Sequence, residues 1–221
     1  AEPLFRSRDS GLVFKRPDPY ATESKGENGI ISVINKPRSI AWTDQKWMAQ
    51  RRKFDKDISP LSICEISIEA FADRHNGKTG FKEITADILE YVKNHGFDTV
   101  ELMPVMKHVP EHFYHILNFY ALDESNGTAE DFMNFVNTMH NEGIRVILDW
   151  VPTFFPRASF GLSDFDGKTL YEYEDPRVGI RPKSGDLIFD YGRKEVTNFL
   201  ISNALFWIEN YHVDGLRTSD I

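Results

Sequence analysis

Charged and hydroxyl side chains end two apolar stretches of this sequence, in positions where they could do chemistry together. Asp149 follows the apolar run "RVIL", and Arg217, Ser219 and Asp220 end the segment "VDGLRTSDI". Carboxyl groups at the ends of neighbouring strands suit glycoside chemistry, because one can attack the anomeric carbon while another protonates the leaving oxygen. A structural role also stays open for Asp149, as a carboxylate that caps loop amides or pairs with Arg217.

Alternating strand and helix patterns lead up to these residues. The third predicted strand is an almost continuous apolar run, typical of a strand that is buried on both faces of a parallel sheet. Strands are predicted at residues 61–68, 98–105, 144–151 and 213–221. Amphipathic helices are predicted at residues 81–96, 128–143 and 193–212.

The first two predicted helices have clear ends and faces. Gly96 is placed to end the first helix, and Thr128 is placed to cap the second, whose first turn is acidic. Helical spacing puts a row of apolar residues on one face of the first helix. That face consists of Phe81, Ile84, Ile88, Tyr91 and Val92.

This alternation predicts an α/β fold with parallel strands, of the TIM (β/α)8 barrel type. The connections at 106–127 and 152–191 are long, and both follow a strand, as do the loops that build the site of a barrel enzyme. A doubly wound open sheet is the alternative fold. No Gly-x-Gly-x-x-Gly motif follows the first strand, which argues against a dinucleotide site.

The strand count predicts a partial barrel. A full barrel needs about 250 residues, whereas four strands and three helices are visible here. Half a barrel leaves two bare edges, so the chain is a fragment, pairs with something else, or has another architecture. We expect residues 1–60 to form an irregular arm or linker and residues 61–221 the first half of the barrel.

The predicted arm has weak local signals. Short extended segments are predicted at 11–15 and 29–35, and Thr43 is expected to cap a short helix. The chain begins with alanine, which indicates a trimmed or partial chain.

Composition excludes several classes of protein. The net charge is −8 and the basic residues are scattered, so neither nucleic acid nor a membrane surface is expected as a partner. Cys64 is the sole cysteine, which excludes an internal disulfide and favours a buried small apolar side chain. The first residues contain no apolar core of signal-peptide length, and no stretch reaches the length of a membrane span. We therefore expect a cytoplasmic protein.

Several stretches resemble the 1,4-α-glucan branching enzymes of glycoside hydrolase family 13, the α-amylase superfamily. The resemblance covers nearly the whole chain and is most specific over residues 98–217, including "DTVELMPVMKH" and "GDLIFDYGRKEV". It implies a (β/α)8 barrel of which this chain holds the first half. It also implies cleavage of an α-1,4 glucan and transfer of the released piece to a 6-hydroxyl, by a retaining mechanism without metal or organic cofactor. The implied partner is an α-glucan such as glycogen, amylose or amylopectin.

The resemblance assigns substrate-binding roles to four residues. Asp149 matches the family's aspartate that supports the site around the reacting sugar, and Arg217 matches the arginine that orients the nucleophile. Tyr114 keeps the aromatic platform for the sugar. His115 stands where the family has glutamine, and is kept as a substrate-binding candidate.

The catalytic positions depart from the family pattern. Ser219 occupies the position of the nucleophilic aspartate, and Asp220 comes one residue late, which points a strand side chain to the other face. Phe154 replaces a histidine that contacts the sugar, so that hydrogen bond is lost. The family's two other catalytic carboxylates come from later strands, which these 221 residues do not contain.

These departures predict little or no catalysis by this chain alone. Two alternatives remain open on the sequence: a non-catalytic glucan-binding or assembly protein, and a gene remnant without function. A missing second half of the barrel or an oligomer partner is the expected protein partner, because half a barrel exposes its edges.

Overall fold

The computed structural model of the chain begins with two small antiparallel sheets and a short helix. Their strands are β1 (Leu4–Arg6), β2 (Val13–Lys15), β3 (Ser24–Lys25) and β4 (Ile31–Ser32), followed by helix α1 (Gln45–Arg51). The extended segment expected at 11–15 is confirmed at β2, and β4 lies within the segment expected at 29–35. The structure describes residues 4–6, 11, 13–26, 31–34, 36, 38–53, 59–74, 80–110 and 112–218.

Strands and helices then alternate through the rest of the chain. The strands are β5 (Ile63–Ile66), β6 (Thr99–Leu102), β7 (Met106–Val109), β8 (His112–Leu122), β9 (Arg145–Trp150), β10 (Phe154–Phe155), β11 (Leu187–Ile188) and β12 (Gly215–Thr218). The helices are α2 (Ile68–Arg74), α3 (Phe81–Asn94), α4 (Ala129–Asn141), α5 (Pro176–Gly179) and α6 (Lys194–Asn210).

Four strands form one parallel sheet in the order β5-β6-β9-β12. The order follows the order of the strands along the chain and does not reverse, whereas a doubly wound sheet reverses at its switch point. The parallel α/β sheet predicted from the sequence is therefore confirmed, and its strand order is that of a barrel-type arrangement.

Helix α3 forms where the apolar spacing predicted it. Phe81, Ile84, Ile88 and Val92 have no exposed surface, and they pack between the sheet and α4. Tyr91 does not belong to this face, since 41% of it is exposed, so that part of the prediction is wrong.

Helix α4 begins with the predicted cap. The Thr128 hydroxyl accepts a hydrogen bond from the Asp131 backbone N–H, while the Asp131 carboxylate accepts one from the Thr128 N–H. This reciprocal capping box satisfies two of the backbone donors that a helix start leaves free. The buried face of the helix includes Phe132, Met133, Val136 and Met139.

Residues 106–127 are not the loop that the sequence indicated. Strands β7 and β8 pair antiparallel across this connection, with register shifts along β7. The long strand β8 is buried from Ile116 to Leu122. The second long connection, 152–191, is mostly irregular and contains the short β10–β11 pair and the single turn α5.

The two faces of the parallel sheet differ in burial. Cys64 and Leu148 lie on the face that the helices cover, and the prediction of a buried Cys64 is confirmed. On the opposite face of β5, 41% of Ile63 is exposed and Glu65 is exposed. An exposed isoleucine on a parallel strand leaves apolar surface that such sheets normally cover.

A buried hydrogen-bond network of histidine and aspartate side chains fixes the segment around α1 to the rest of the fold. His140 Nδ1 lies 2.9 Å from Asp44 Oδ2, and His140 Nε2 lies 2.9 Å from Asp214 Oδ2. Trp47 Nε1 donates to Asp214 Oδ1 at 2.8 Å, and His212 Nδ1 lies 2.8 Å from Asp44 Oδ2. The network joins α1, the end of α4 and the start of β12.

Thr43 does not cap α1 as expected. Asp44 is the N-cap residue and its side chain makes no capping hydrogen bond, because that carboxylate is engaged with the two histidines. Thr43 instead bonds Asn137 of α4, its backbone N–H donating to Asn137 Oδ1 at 2.9 Å.

No helix in the described part of the chain has the length and apolar character needed to cross a membrane.

Candidate functional site

The carboxyl ends of the parallel strands carry the residues of the candidate site. Asp149 is the fifth residue of β9 and pairs in register with Arg217 of β12. Because parallel strands end at the same edge of a sheet, side chains from several strands meet there, as in barrel enzymes. The two residues thus project to the same face.

Asp149 is held by two donors on the same oxygen. Its side chain is 1% exposed, and Oδ2 accepts the Tyr114 hydroxyl at 2.5 Å and the Arg217 Nη1–H at 3.1 Å. Three of the residues predicted from the sequence therefore meet in one cluster, which we call the Asp149 cluster. The pairing with Arg217 that was left open as a structural role is also present.

Arg217 keeps much of its guanidinium in solvent, since 43% of its side chain is exposed. The nearby negative charge of Asp149 raises the pKa of Arg217 further above its ordinary value. The guanidinium has five N–H donors, so one bond to Asp149 leaves donors for another acceptor such as a sugar hydroxyl.

Tyr114 acts as a neutral donor in the cluster. Burial, followed by the hydrogen bond to Asp149, raises the pKa of Tyr114 far above its ordinary value. The hydroxyl therefore stays protonated at any physiological pH. It donates a charge-assisted hydrogen bond to the Asp149 carboxylate.

Helix α6 fixes the strands that carry Tyr114 and Asp149. Asn203 is fully buried; its side-chain N–H donates to the Phe119 carbonyl at 2.6 Å and its oxygen accepts from Trp150 Nε1 at 2.8 Å. Trp207 Nε1 donates to the same Phe119 carbonyl at 3.1 Å. One amide thus links β8 to β9, a contact that is signalled in the sequence only by a polar residue among apolar neighbours.

Glu101 is a member of the site that the sequence reasoning missed. It lies on β6, is 8% exposed, and its Oε1 is 3.8 Å from Arg217 Nε. Burial raises the pKa of Glu101, and the neighbouring Asp149 carboxylate raises it further. The signal was available, since a glutamate inside the apolar strand "TVEL" is unusual and needs a partner.

His115 follows Tyr114 in β8 and has partners of its own. Its Nε2 is 3.4 Å from Asp186 Oδ1, and its ring stacks on His112 with centroids 5.1 Å apart. The Phe154 ring meets His115 edge-on at 6.2 Å. The Arg181 guanidinium lies 4.3 Å from the centroid of the Phe154 ring, a cation–π contact.

Phe154 of β10 packs between a histidine and an arginine. Its ring is 5% exposed and carries no hydrogen-bond donor, and its neighbours are His115 and Arg181. Phenylalanine in place of the family's histidine therefore puts an apolar ring between His115 and Arg181.

Ser219 and Asp220 lie outside the residues that the structure describes, and β12 ends at Thr218. The expectation that serine replaces the nucleophile, with a carboxylate one residue late, stays a prediction. Within the described ranges, no group of three or more His, Cys, Asp or Glu side chains is arranged to hold a metal ion.

Comparison with known proteins agrees with this architecture. The family model "Alpha amylase, catalytic domain" matches residues 66–157, which include β6, β8 and β9. A Salmonella typhimurium protein assigned as an alpha amylase superposes with a TM-score of 0.76 at 24% identity, covering 100% of this chain and 34% of that one. The fold is therefore an α/β fold of the TIM-barrel type, as in the α-amylase class.

Two curated relatives specify the resemblance. The 1,4-alpha-glucan branching enzyme GlgB of Cellvibrio japonicus (strain Ueda107) is 40% identical over 220 residues, and that of Methylococcus capsulatus (strain ATCC 33009 / NCIMB 11132 / Bath) is 39% identical. Each match covers 98% of this chain but 30% of the relative's length. The resemblance to 1,4-α-glucan branching enzymes of glycoside hydrolase family 13 is confirmed.

Proposed function

We propose that this chain forms part of the barrel of a protein of 1,4-α-glucan branching enzyme type, and that it binds an α-glucan at the Asp149 cluster. Glycogen, amylose and amylopectin are the expected glucans. The proposal rests on one observation, the convergence of Tyr114 and Arg217 on Asp149 at the carboxyl ends of the strands.

The chemistry of the Asp149 cluster suits a sugar. An aromatic ring offers a flat apolar surface to the C–H face of a glucose ring, while carboxylate and guanidinium groups bond pairs of hydroxyls. Tyr114 is half-buried and Arg217 is exposed, so both can reach a ligand above the sheet. We also propose His115 as a substrate-binding residue, since its imidazole is partly exposed and can bond a sugar hydroxyl.

We propose further that the chain has little or no branching activity of its own. A two-step retaining transfer needs a nucleophile and an acid about 5–5.5 Å apart. Ser219 stands at the position where the family resemblance places the nucleophile, and a serine without an adjacent base is a weak nucleophile. Phe154 also removes a donor to the sugar.

The open face of the parallel sheet supports a proposal about partners. Ile63 and Glu65 are exposed on a face that a closed barrel would cover, and β5 and β12 form the two ends of the four-stranded order. We therefore propose that a second half of a barrel or an oligomer partner covers this face. In this scheme residues 1–60 are an arm and 61–221 the first half of the barrel.

Binding and catalysis can be measured separately on the purified 221-residue chain. Affinity for maltoheptaose and amylopectin is expected in calorimetry, and we expect Tyr114→Ala to abolish it by removing both ring and donor. Tyr91→Ala is the matched control, since Tyr91 is exposed on α3, remote from the Asp149 cluster. Equal affinity in both variants would contradict the assignment of the site.

Iodine staining of amylose after incubation with the chain measures branching. We expect no change of colour, and clear branching would refute the proposed lack of catalysis. If the chain neither binds glucan nor unfolds cooperatively, the result would instead support the alternative hypothesis of a gene remnant without function.

A further inference from the structure

Two carboxyl groups face each other within the Asp149 cluster. Glu101 of β6 pairs in register with Ile147 of β9, and Asp149 is two residues further along β9. Residues two apart in a strand share a face, so Glu101 and Asp149 project to the same side of adjacent strands. Both also contact one guanidinium, Arg217 Nη1 at 3.1 Å from Asp149 Oδ2 and Nε at 3.8 Å from Glu101 Oε1.

One oxygen of Asp149 has no donor. Oδ2 accepts from both Tyr114 and Arg217, while Oδ1 is buried and has no hydrogen-bond partner among the described residues. A buried carboxylate oxygen without a donor is unfavourable, so natural structures rarely leave one. Oδ1 has almost no solvent-accessible surface, so bulk solvent does not satisfy it, and a donor on a neighbouring side chain would.

The carboxylates around Glu101 outnumber the cations. Asp149 of β9 and Glu65 of β5 face it as carboxylates, and Arg217 of β12 is the single cation of this group. Tyr114 of β8 is neutral, since burial raises its pKa far above the ordinary value. Two buried carboxylates sharing one partly exposed cation are unfavourable, and a proton on one of them removes the repulsion.

We propose that Glu101 and Asp149 share one proton in the folded chain, with the Glu101 O–H donating to Asp149 Oδ1. The shared proton satisfies the free oxygen, and it leaves Asp149 with one negative charge to balance Arg217. Glu101 is then a positioning residue, which fixes the orientation of the carboxylate that Tyr114 and Arg217 hold. The direction of the pKa shift of Glu101 agrees with this arrangement.

A consequence for ligand binding rests on the proposed function. When the proton leaves, the Glu101 carboxylate repels Asp149 and competes for Arg217, so the Asp149 cluster changes its geometry. We therefore expect the glucan affinity of the wild-type chain to fall as the pH rises through the titration of the pair, and that of Glu101→Gln to stay constant. The glutamine keeps a donor for Asp149 Oδ1 and cannot titrate.

The proton itself can be observed without any glucan. Infrared difference spectra and carboxyl-carbon NMR of the full chain, recorded across pH, detect a protonated carboxyl group that persists well above the ordinary glutamate pKa of about 4.3. Burial also raises the pKa of Glu172, so the signal of the pair is the one that is lost in Glu101→Gln and retained in Glu65→Gln and in Glu172→Gln. Glu65 is the matched control because it is the register partner of Glu101 on β5 and is exposed.

The outcomes separate this inference from the proposed function. Absence of the signal of the pair in the wild type, or its persistence in Glu101→Gln, overturns the shared proton whether or not glucan binds. A protonated carboxyl with no glucan affinity overturns the proposed function and supports the shared proton. The NMR titration of the wild type needs no variant, so a variant that fails to fold does not affect the test.

Discussion

Asn203 of α6 donates its side-chain N–H to the Phe119 carbonyl of β8 at 2.6 Å, and this bond fixes the strand that carries Tyr114. The amide oxygen accepts from Trp150, the residue after Asp149. A single buried side chain thus holds two walls of the candidate site at a fixed distance.

Asn203→Ala is expected to destabilise the chain by about 2 kcal/mol, because a buried Trp150 N–H loses its acceptor and a cavity opens. Urea unfolding followed by tryptophan fluorescence measures the change. Asn210→Ala on the same helix is the control, since Asn210 is exposed and bonds within its own helix. If the two variants lose the same stability, the bridging role of Asn203 is wrong.

His140→Ala is expected to cost about 3–5 kcal/mol, because it opens a cavity and removes the ring whose two nitrogens lie 2.9 Å from the buried Asp44 and Asp214 carboxylates. Chemical denaturation at neutral pH measures this loss. The exposed His95 of the α3 end supplies the control His95→Ala, for which a change within about 0.5 kcal/mol is expected. A small effect of His140→Ala would show that the network does not hold α1 against α4 and β12.

The free energy of unfolding at acid pH is expected to depend on Asp44. Burial would raise the pKa of Asp44, but hydrogen bonds from His140 and His212 outweigh it and hold the pKa below the ordinary value. The folded state therefore binds that proton less readily than the unfolded state. This stability is present above the unfolded pKa of about 3.9 and is lost as the pH falls through the folded pKa.

Melting curves at pH values from neutral to acid test this sign. The stability difference between the wild type and Asp44→Asn should be largest near neutral pH and should shrink below about pH 3.9. The exposed Asp166→Asn variant serves as control, with a small difference throughout. A difference that grows toward acid pH would contradict the expected direction.

The fold was predictable where hydrophobic spacing alone decides structure. Periodicity predicts the parallel strands around Cys64 and Leu148 and the buried face of α3. The pattern of apolar residues that predicts their burial lies within a single strand or helix. The β7–β8 hairpin was missed because its strand pairing is irregular and its first residues, such as His108 and His112, are polar.

The family resemblance marked Tyr114, Asp149 and Arg217 by position, and the structure brings these three side chains together. Glu101 was missed because its role depends on a neighbour on another strand, which only the register of β6 and β9 reveals. The network of His140 was missed for the same reason. Its partners Asp44 and Asp214 are 96 and 74 residues away along the chain.

Gly80 and Gly96 flank α3, and both have a positive φ but lie in different surroundings. Both have φ of +74°, a conformation that disfavours any side chain. A Cβ at Gly80 would lie 2.9 Å from the Asn126 carbonyl oxygen, whereas nothing lies within 4 Å of one at Gly96. Alanine at either position is therefore forced into an unfavourable backbone conformation. At Gly80 its Cβ also collides with the Asn126 backbone.

We expect Gly96→Ala to destabilise the chain by about 1 kcal/mol and Gly80→Ala by about 2–3 kcal/mol, since the backbone at Asn126 must move in the second variant. Urea unfolding of both variants under the same conditions measures the difference. The difference reports two features of Gly80: its combination of positive φ with a ψ of 164°, which is essentially restricted to glycine, and the steric contact between the start of α3 and the turn before α4. Equal losses would show that this contact relaxes freely, and a smaller loss for Gly80→Ala would contradict the packing of the two segments.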